Sequence, residues 1–331
     1  MENKIFEPTS FLNYEEMSFE FGKFMDNQIF LDKYQTTLHE LLQEFHGKSE
    51  QIAICYNNIA SVYLFRGEYV NASEAYKKAL SRYNGSKRQK EDLNVATINH
   101  NLGWMCVEFQ DLINASFYTE IALKIRTKLL EPIHSDLALS YNNVGVILLY
   151  EGKIQRALEM NERGLKIRQQ LYRNSPHAFL AESYCNKGTL LSELSKYDEA
   201  LESFNQAIGI LKKIYGENHR ELALNYNNQA YLYIKLGKDL EAFELYIKAL
   251  KIYSSMGVKG LQTECTYESV ATIPERYLDI DTSLMFLKKS HQIYRKCGGK
   301  NHFGTVIMNR RVEEHEIKKA LSCVIKEAKF F

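Results

Sequence analysis

Three histidines, His134, His177 and His219, stand 43 and 42 residues apart. An imidazole in such a place could act as a general base or a metal ligand. Catalysis needs one converging constellation, however, and a residue that returns in successive segments points instead to a repeated structural task such as capping the next helix. The remaining reactive types fit no site. Cys55, Cys106, Cys185, Cys265, Cys297 and Cys323 form no CxxC pair and no metal-ligand spacing, and several fall on apolar faces, as core thiols do. There is no phosphate-binding loop, GxSxG or HExxH. The expectation is a non-enzymatic chain with no cofactor and no metal.

A second recurring group is an amide. Asn58, Asn101, Asn143, Asn186 and Asn228 follow one another at steps of 43, 42, 43 and 42. Asn competes for backbone hydrogen bonds, so inside a helix it needs a compensating contact. A carboxamide offers a donor and an acceptor, and a row of them could hold the N–H and C=O groups of an extended peptide whatever its side chains are. The same amides could instead bond the neighbouring repeat. The residue before each one varies: Asn57, His100, Asn142, Cys185 and Asn227.

Elements of that period must position these groups. Each amide sits in an apolar segment of helical periodicity that ends at Gly67, Gln110, Gly152, Ser195 or Gly237, and a second helical segment follows. Small residues recur in register two, fourteen and twenty-one positions after the amide. The first set is Ala60, Gly103, Gly145, Gly188 and Ala230; the second is Ala72, Ala115, Ala157, Ala200 and Ala242; the third is Ala79, Ala122, Gly164, Ala207 and Ala249. Two helices can approach closely at such positions. Tyr56, Tyr141, Tyr184 and Tyr226 precede the first small residue by four and share its face, so they belong to the core.

With linkers such as "LLEPIHSDLALSYNN" and "IYGENHRELALNYNN", this pattern resembles the tetratricopeptide repeat in the long-period form of kinesin light chains. The resemblance covers roughly residues 50–256 and implies an all-α, right-handed helical solenoid of tetratricopeptide-type helix pairs. We therefore expect an N-terminal degenerate repeat or cap over 1–48, five repeats over 49–256, and an eroded sixth repeat with a C-terminal capping helix over 257–331. Pro274 should shorten or kink the first helix of that sixth repeat.

In the family the first helices line a concave surface that binds extended peptides. Carried over, this makes Asn58, Asn101, Asn143, Asn186 and Asn228 a solvent-facing ladder, with Phe65, His100, Trp104, Tyr150, Tyr231 and Lys235 beside it. Chaperone-binding members use basic residues four positions before the amide, where this chain has Ile54, Thr97, Leu139, Glu182 and Leu224, which argues against a chaperone's acidic tail. Kinesin light chain also carries a coiled coil ahead of its repeats, and the first 48 residues here hold no sustained heptads, which argues against a motor-linked role. A net charge of +1 gives no footprint for nucleic acid or membrane, and no signal peptide or long apolar run is visible. The expected function is a cytoplasmic adaptor that holds a protein or peptide segment in its groove. A regulatory sensor of a short signalling peptide, as in bacterial tetratricopeptide receptors, and a scaffold acting through its convex face or by self-association are the alternatives.

Overall fold

The computed structural model describes residues 28–44, 50–83, 92–173, 175–257, 261–276, 279–298 and 303–328. The first 27 residues of the expected N-terminal cap lie outside the described residues. Two compact units divide the chain, Met1–Arg173 and Asn174–Phe331. Among the described residues there are fourteen helices and no strand. The first unit holds α1 (Gln28–Glu44), α2 (Glu50–Phe65), α3 (Tyr69–Ser81), α4 (Leu93–Glu108), α5 (Leu112–Leu129), α6 (Ser135–Tyr150) and α7 (Ile154–Tyr172). The second holds α8 (Ala178–Glu193), α9 (Tyr197–Tyr215), α10 (Arg220–Lys235), α11 (Asp239–Ser255), α12 (Leu261–Arg276), α13 (Ile280–Gly298) and α14 (Phe303–Ala328). Even-numbered helices from α2 to α12 are the first of a pair, and each packs against the odd-numbered helix that follows it.

The first five pairs turn in the same way. The residues at the five turn positions read from the sequence, Gly67, Gln110, Gly152, Ser195 and Gly237, all have φ between 58° and 74°. The following N–H bonds back to the carbonyl five residues earlier, as Glu68 does to Tyr63 and Lys196 to Leu191, so the last carbonyls of each first helix are satisfied. Left-handed backbone suits glycine, and Gln110 and Ser195 adopt it against their Cβ atoms. Ser195→Gly should accordingly raise stability by about 0.5–1 kcal/mol, the steric relief exceeding the entropy that glycine restores to the unfolded chain. A lower urea midpoint for this variant would contradict the strain.

The histidines at the linkers cap helices. His134, His177 and His219 hold extended backbone just before α6, α8 and α10, and each Nδ1 accepts from the backbone N–H two residues on, at 3.1–3.2 Å. Asp92 does the same for α4. All fifteen small seam residues are buried. Contact there is close enough that a Cβ on Gly188 would lie 2.9 Å from the Phe204 ring. Of the four tyrosines expected in the core, Tyr226 is buried, whereas Tyr56, Tyr141 and Tyr184 are half-buried at its margin.

Pro274 departs from expectation. α12 is a helix of ordinary length, 16 residues, because Pro274 falls in its last turn. α14 packs against α13, and Met308 and Val312 enter the apolar core of the second unit.

Candidate functional site

The candidate site is the face of the first helices that carries the recurring amides, and the structure corrects its expected exposure. Asn58, Asn101 and Asn143 are 0%, 0% and 3% exposed, and His100 is buried beside them. Such side chains do not face solvent. In the second unit the same helical position is half-buried at Asn186 and exposed at Asn228.

The buried amides are spoken for. Asn101 Nδ2 donates to Asn57 Oδ1 of the preceding pair at 3.0 Å, and Asn57 Nδ2 donates to Asn58 Oδ1 at 3.1 Å. Asn143 Nδ2 lies 3.3 Å from His100 Nε2, and Asn228 Nδ2 donates to Cys185 Sγ at 3.2 Å. In the three bonds that run between pairs, the acceptor is the variable residue that precedes the amide one repeat earlier. Asn, His and Cys look unrelated in the sequence, yet each carries a lone pair. That shared property was the available signal for a relay of side-chain bonds running from pair to pair. Cys185 can act as acceptor while keeping its proton, because burial pushes its thiol up to about 12.

His100 has to be neutral to accept from Asn143. Burial holds its pKa well below the ordinary value, and the Arg126 guanidinium adds to this. Arg126 is itself buried on α5 and donates to Ser140 Oγ and to the Asp136 carbonyl. His219 is depressed by burial too, with Arg220 contributing. A histidine whose folded pKa is lowered contributes stability that is full above its unfolded value, near 6.5, and is lost as pH falls towards the folded value. Stability should therefore decline below about pH 6.5, with His100 responsible for about 1.4 kcal/mol per pH unit. His100→Asn keeps an acceptor of the kind found at Asn57 and should remove that share of the slope. An identical slope in wild type and variant, in urea titrations from pH 7 to 5, would exclude His100 as the source.

The remaining candidates stand on the same helical face with more surface showing. In the first unit Tyr150 is exposed, while Phe65 and Trp104 are half-buried. In the second unit α10 presents Asn228, Tyr231 and Lys235 at a spacing of three and four residues, which puts all three on one side. Lys235 Nζ lies 5.1 Å from the centre of the Tyr231 ring and 2.7 Å from Glu193 Oε1 on α8. Its charge is thereby matched, and the ring and the amide remain the exposed polar and apolar contacts. No group of His, Cys, Asp and Glu among the described residues is arranged to hold a metal, and no described helix is long and apolar enough to cross a membrane.

Sequence profiles of the tetratricopeptide repeat match residues 52–84, 137–177 and 177–255. No curated protein matches the sequence. Among solved structures, BtubC (BKLC) from P. vanneervenii is similar at 19% identity and a TM-score of 0.56, over 70% of this chain and 89% of that one. The apo form of RapI is similar at 17% identity and 0.53, over 81% and 99%. The Cut9–Hcn1 structure of the APC/C is similar at 14% identity and 0.59, over 85% of this chain and 46% of that one. Identities this low speak for the shared fold alone.

Proposed function

Since the chain is built of tetratricopeptide repeats, we propose that it is a protein-binding adaptor whose first-helix face in the second unit holds an extended peptide segment. The observation that carries this reading is the α10 triad of Asn228, Tyr231 and Lys235, where an exposed amide and an exposed ring stand side by side. Asn228 gives one N–H to Cys185, and its exposed carboxamide can offer a ligand backbone both a donor and an acceptor. An aromatic ring with few rotatable bonds is a frequent anchor at such surfaces. Lys235 is paired with Glu193, so the site favours a segment without strong charge. Asn186, Trp104, Tyr150 and Phe65 are secondary candidates on equivalent faces. Cut9 appears in a complex with Hcn1, which is in keeping with a fold that binds other proteins. Non-catalytic action and a cytoplasmic location are parts of the same proposal.

A displayed library of random peptides panned on the full chain tests it. Tyr231→Ala should weaken the selected peptides at least about tenfold, as expected when an interface anchor is truncated, and the exposed position should leave the thermal melt unchanged. Peptides that bind wild type and variant equally would place the binding surface elsewhere.

A further inference from the structure

The first unit carries a second surface, built mainly on α3 and α5. Twelve positions after each recurring amide, the residues are Val70, Ile113, Gln155, Asp198 and Leu240; sixteen after, they are Glu74, Phe117, Glu159, Glu202 and Glu244. A glutamate thus occupies the last position in four of the five regular repeats, and Phe117 replaces it in the other. Ile113 and Phe117 are 84% and 57% exposed, one turn apart on α5, and form an apolar ridge. Val70 and Phe109 are 81% and 51% exposed next to it.

Beside the ridge lies a cleft of about 540 Å³ between α3 and α5, with α4 as its floor. Tyr69, Val70, Met105, Phe109 and Tyr118 line it, and the Tyr69 and Phe109 rings meet edge-on at 4.7 Å. Ridge and cleft alternate on one helix: Ile113 and Phe117 point outward, while Asn114 and Tyr118 line the cleft. Water-facing side chains of this kind are normally polar, and a contiguous apolar patch of this make-up marks an interaction surface.

We propose that this surface pairs two copies of the chain about a two-fold axis, the Ile113 and Phe117 ridge of each copy entering the cleft of the other. A two-fold contact requires a patch that is complementary to itself, and a ridge adjoining a cleft of matching chemistry meets that requirement. The area fits as well. The four exposed side chains offer on the order of 500 Å² per copy, taking roughly 150–250 Å² for a whole aromatic side chain. Doubled, this nears the low end of about 1,200–2,000 Å² found in specific interfaces, with the rim still to be added. The rim carries Glu74, Lys77 and Asp111, and Glu74 is paired with Lys78 at 2.7 Å, so both signs of charge face a second copy.

Sedimentation equilibrium of the full chain over a wide concentration range tests the pairing. Wild type should pass from monomer to dimer as concentration rises. Phe117→Glu installs the residue that the other repeats carry, so folding should be retained, and the dimer dissociation constant should increase at least about thirtyfold, as for loss of an interface anchor. Ile113→Gln should act in the same direction, whereas Leu240→Glu, at the position equivalent to Ile113 in the fifth repeat, should leave the equilibrium unchanged. A wild type that stays monomeric throughout, or a dimer that Phe117→Glu leaves intact, would overturn the proposal.

Discussion

Gly164→Val is expected to lower the stability of the first unit by about 3 kcal/mol, at the upper end of what overpacking a close seam costs. A Cβ on Gly164 would lie 2.6 Å from Asn142 Oδ1 and 2.9 Å from the Ala138 carbonyl oxygen. The second of these decides the outcome, because Ala138 lies in the first turn of α6 and its carbonyl oxygen, as part of the helix backbone, cannot swing aside. Relief would require α6 and α7 to separate along a seam in which Ala138, Gly145, Ala157 and Gly164 are all buried. Gly145, in the same seam, is more forgiving. A Cβ there would meet no atom closer than the Ala157 carbonyl oxygen, at 3.2 Å. Gly145→Val should therefore cost about 1–3 kcal/mol, less than the same change at Gly164. Urea unfolding combined with hydrogen exchange in α6 and α7 would measure both. Gly164→Val unfolding at the wild-type midpoint would mean that the two helices do not touch there.

Register explains why so much of the fold could be read from the sequence. Small residues at three fixed offsets from the amide define one seam, and a seam repeated five times fixes the helix pairs. Register also identified Gln110 and Ser195 as turn residues although neither is glycine, and both have positive φ. The histidine caps followed from the same logic, since recurrence excluded a converging site. Exposure of the amide face was not legible in the same way. Helical angles place an amide relative to its own seam and say nothing of how far the next pair leans over it. Asn101 and Asn228 occupy equivalent positions, yet one is buried and the other exposed. The tyrosines at the margin of the core, and Pro274 in the last turn of α12, show the same limit: periodicity sets the face and leaves depth and helix ends to tertiary packing.

Replacing the amides one at a time should divide them into two classes. Asn101→Ala removes the donor to Asn57 Oδ1 in a site closed to solvent, and Asn143→Ala removes the partner of His100 Nε2. A buried polar group that loses its partner bears most of its desolvation penalty, so each change should cost about 1–3 kcal/mol. The two would not sum simply, since His100 immediately precedes Asn101 and the relay links neighbouring pairs. Asn228→Ala should behave differently. Its amide is exposed, so water can replace it beside Cys185, and the loss of stability should stay within about 0.5 kcal/mol. Peptides selected on the wild type should nevertheless bind more weakly by about 0.5–1.5 kcal/mol, the worth of an ordinary hydrogen bond. Urea unfolding and peptide titration on the same three variants separate the roles. Asn101→Ala as harmless as Asn228→Ala would sink the inter-repeat relay, and Asn228→Ala with unaltered peptide affinity would remove that amide from the binding face. Should both classes appear, one residue type at one helical position brings successive repeats together in the first unit and meets a ligand in the second. The difference then lies wholly in how deeply the neighbouring pair buries it.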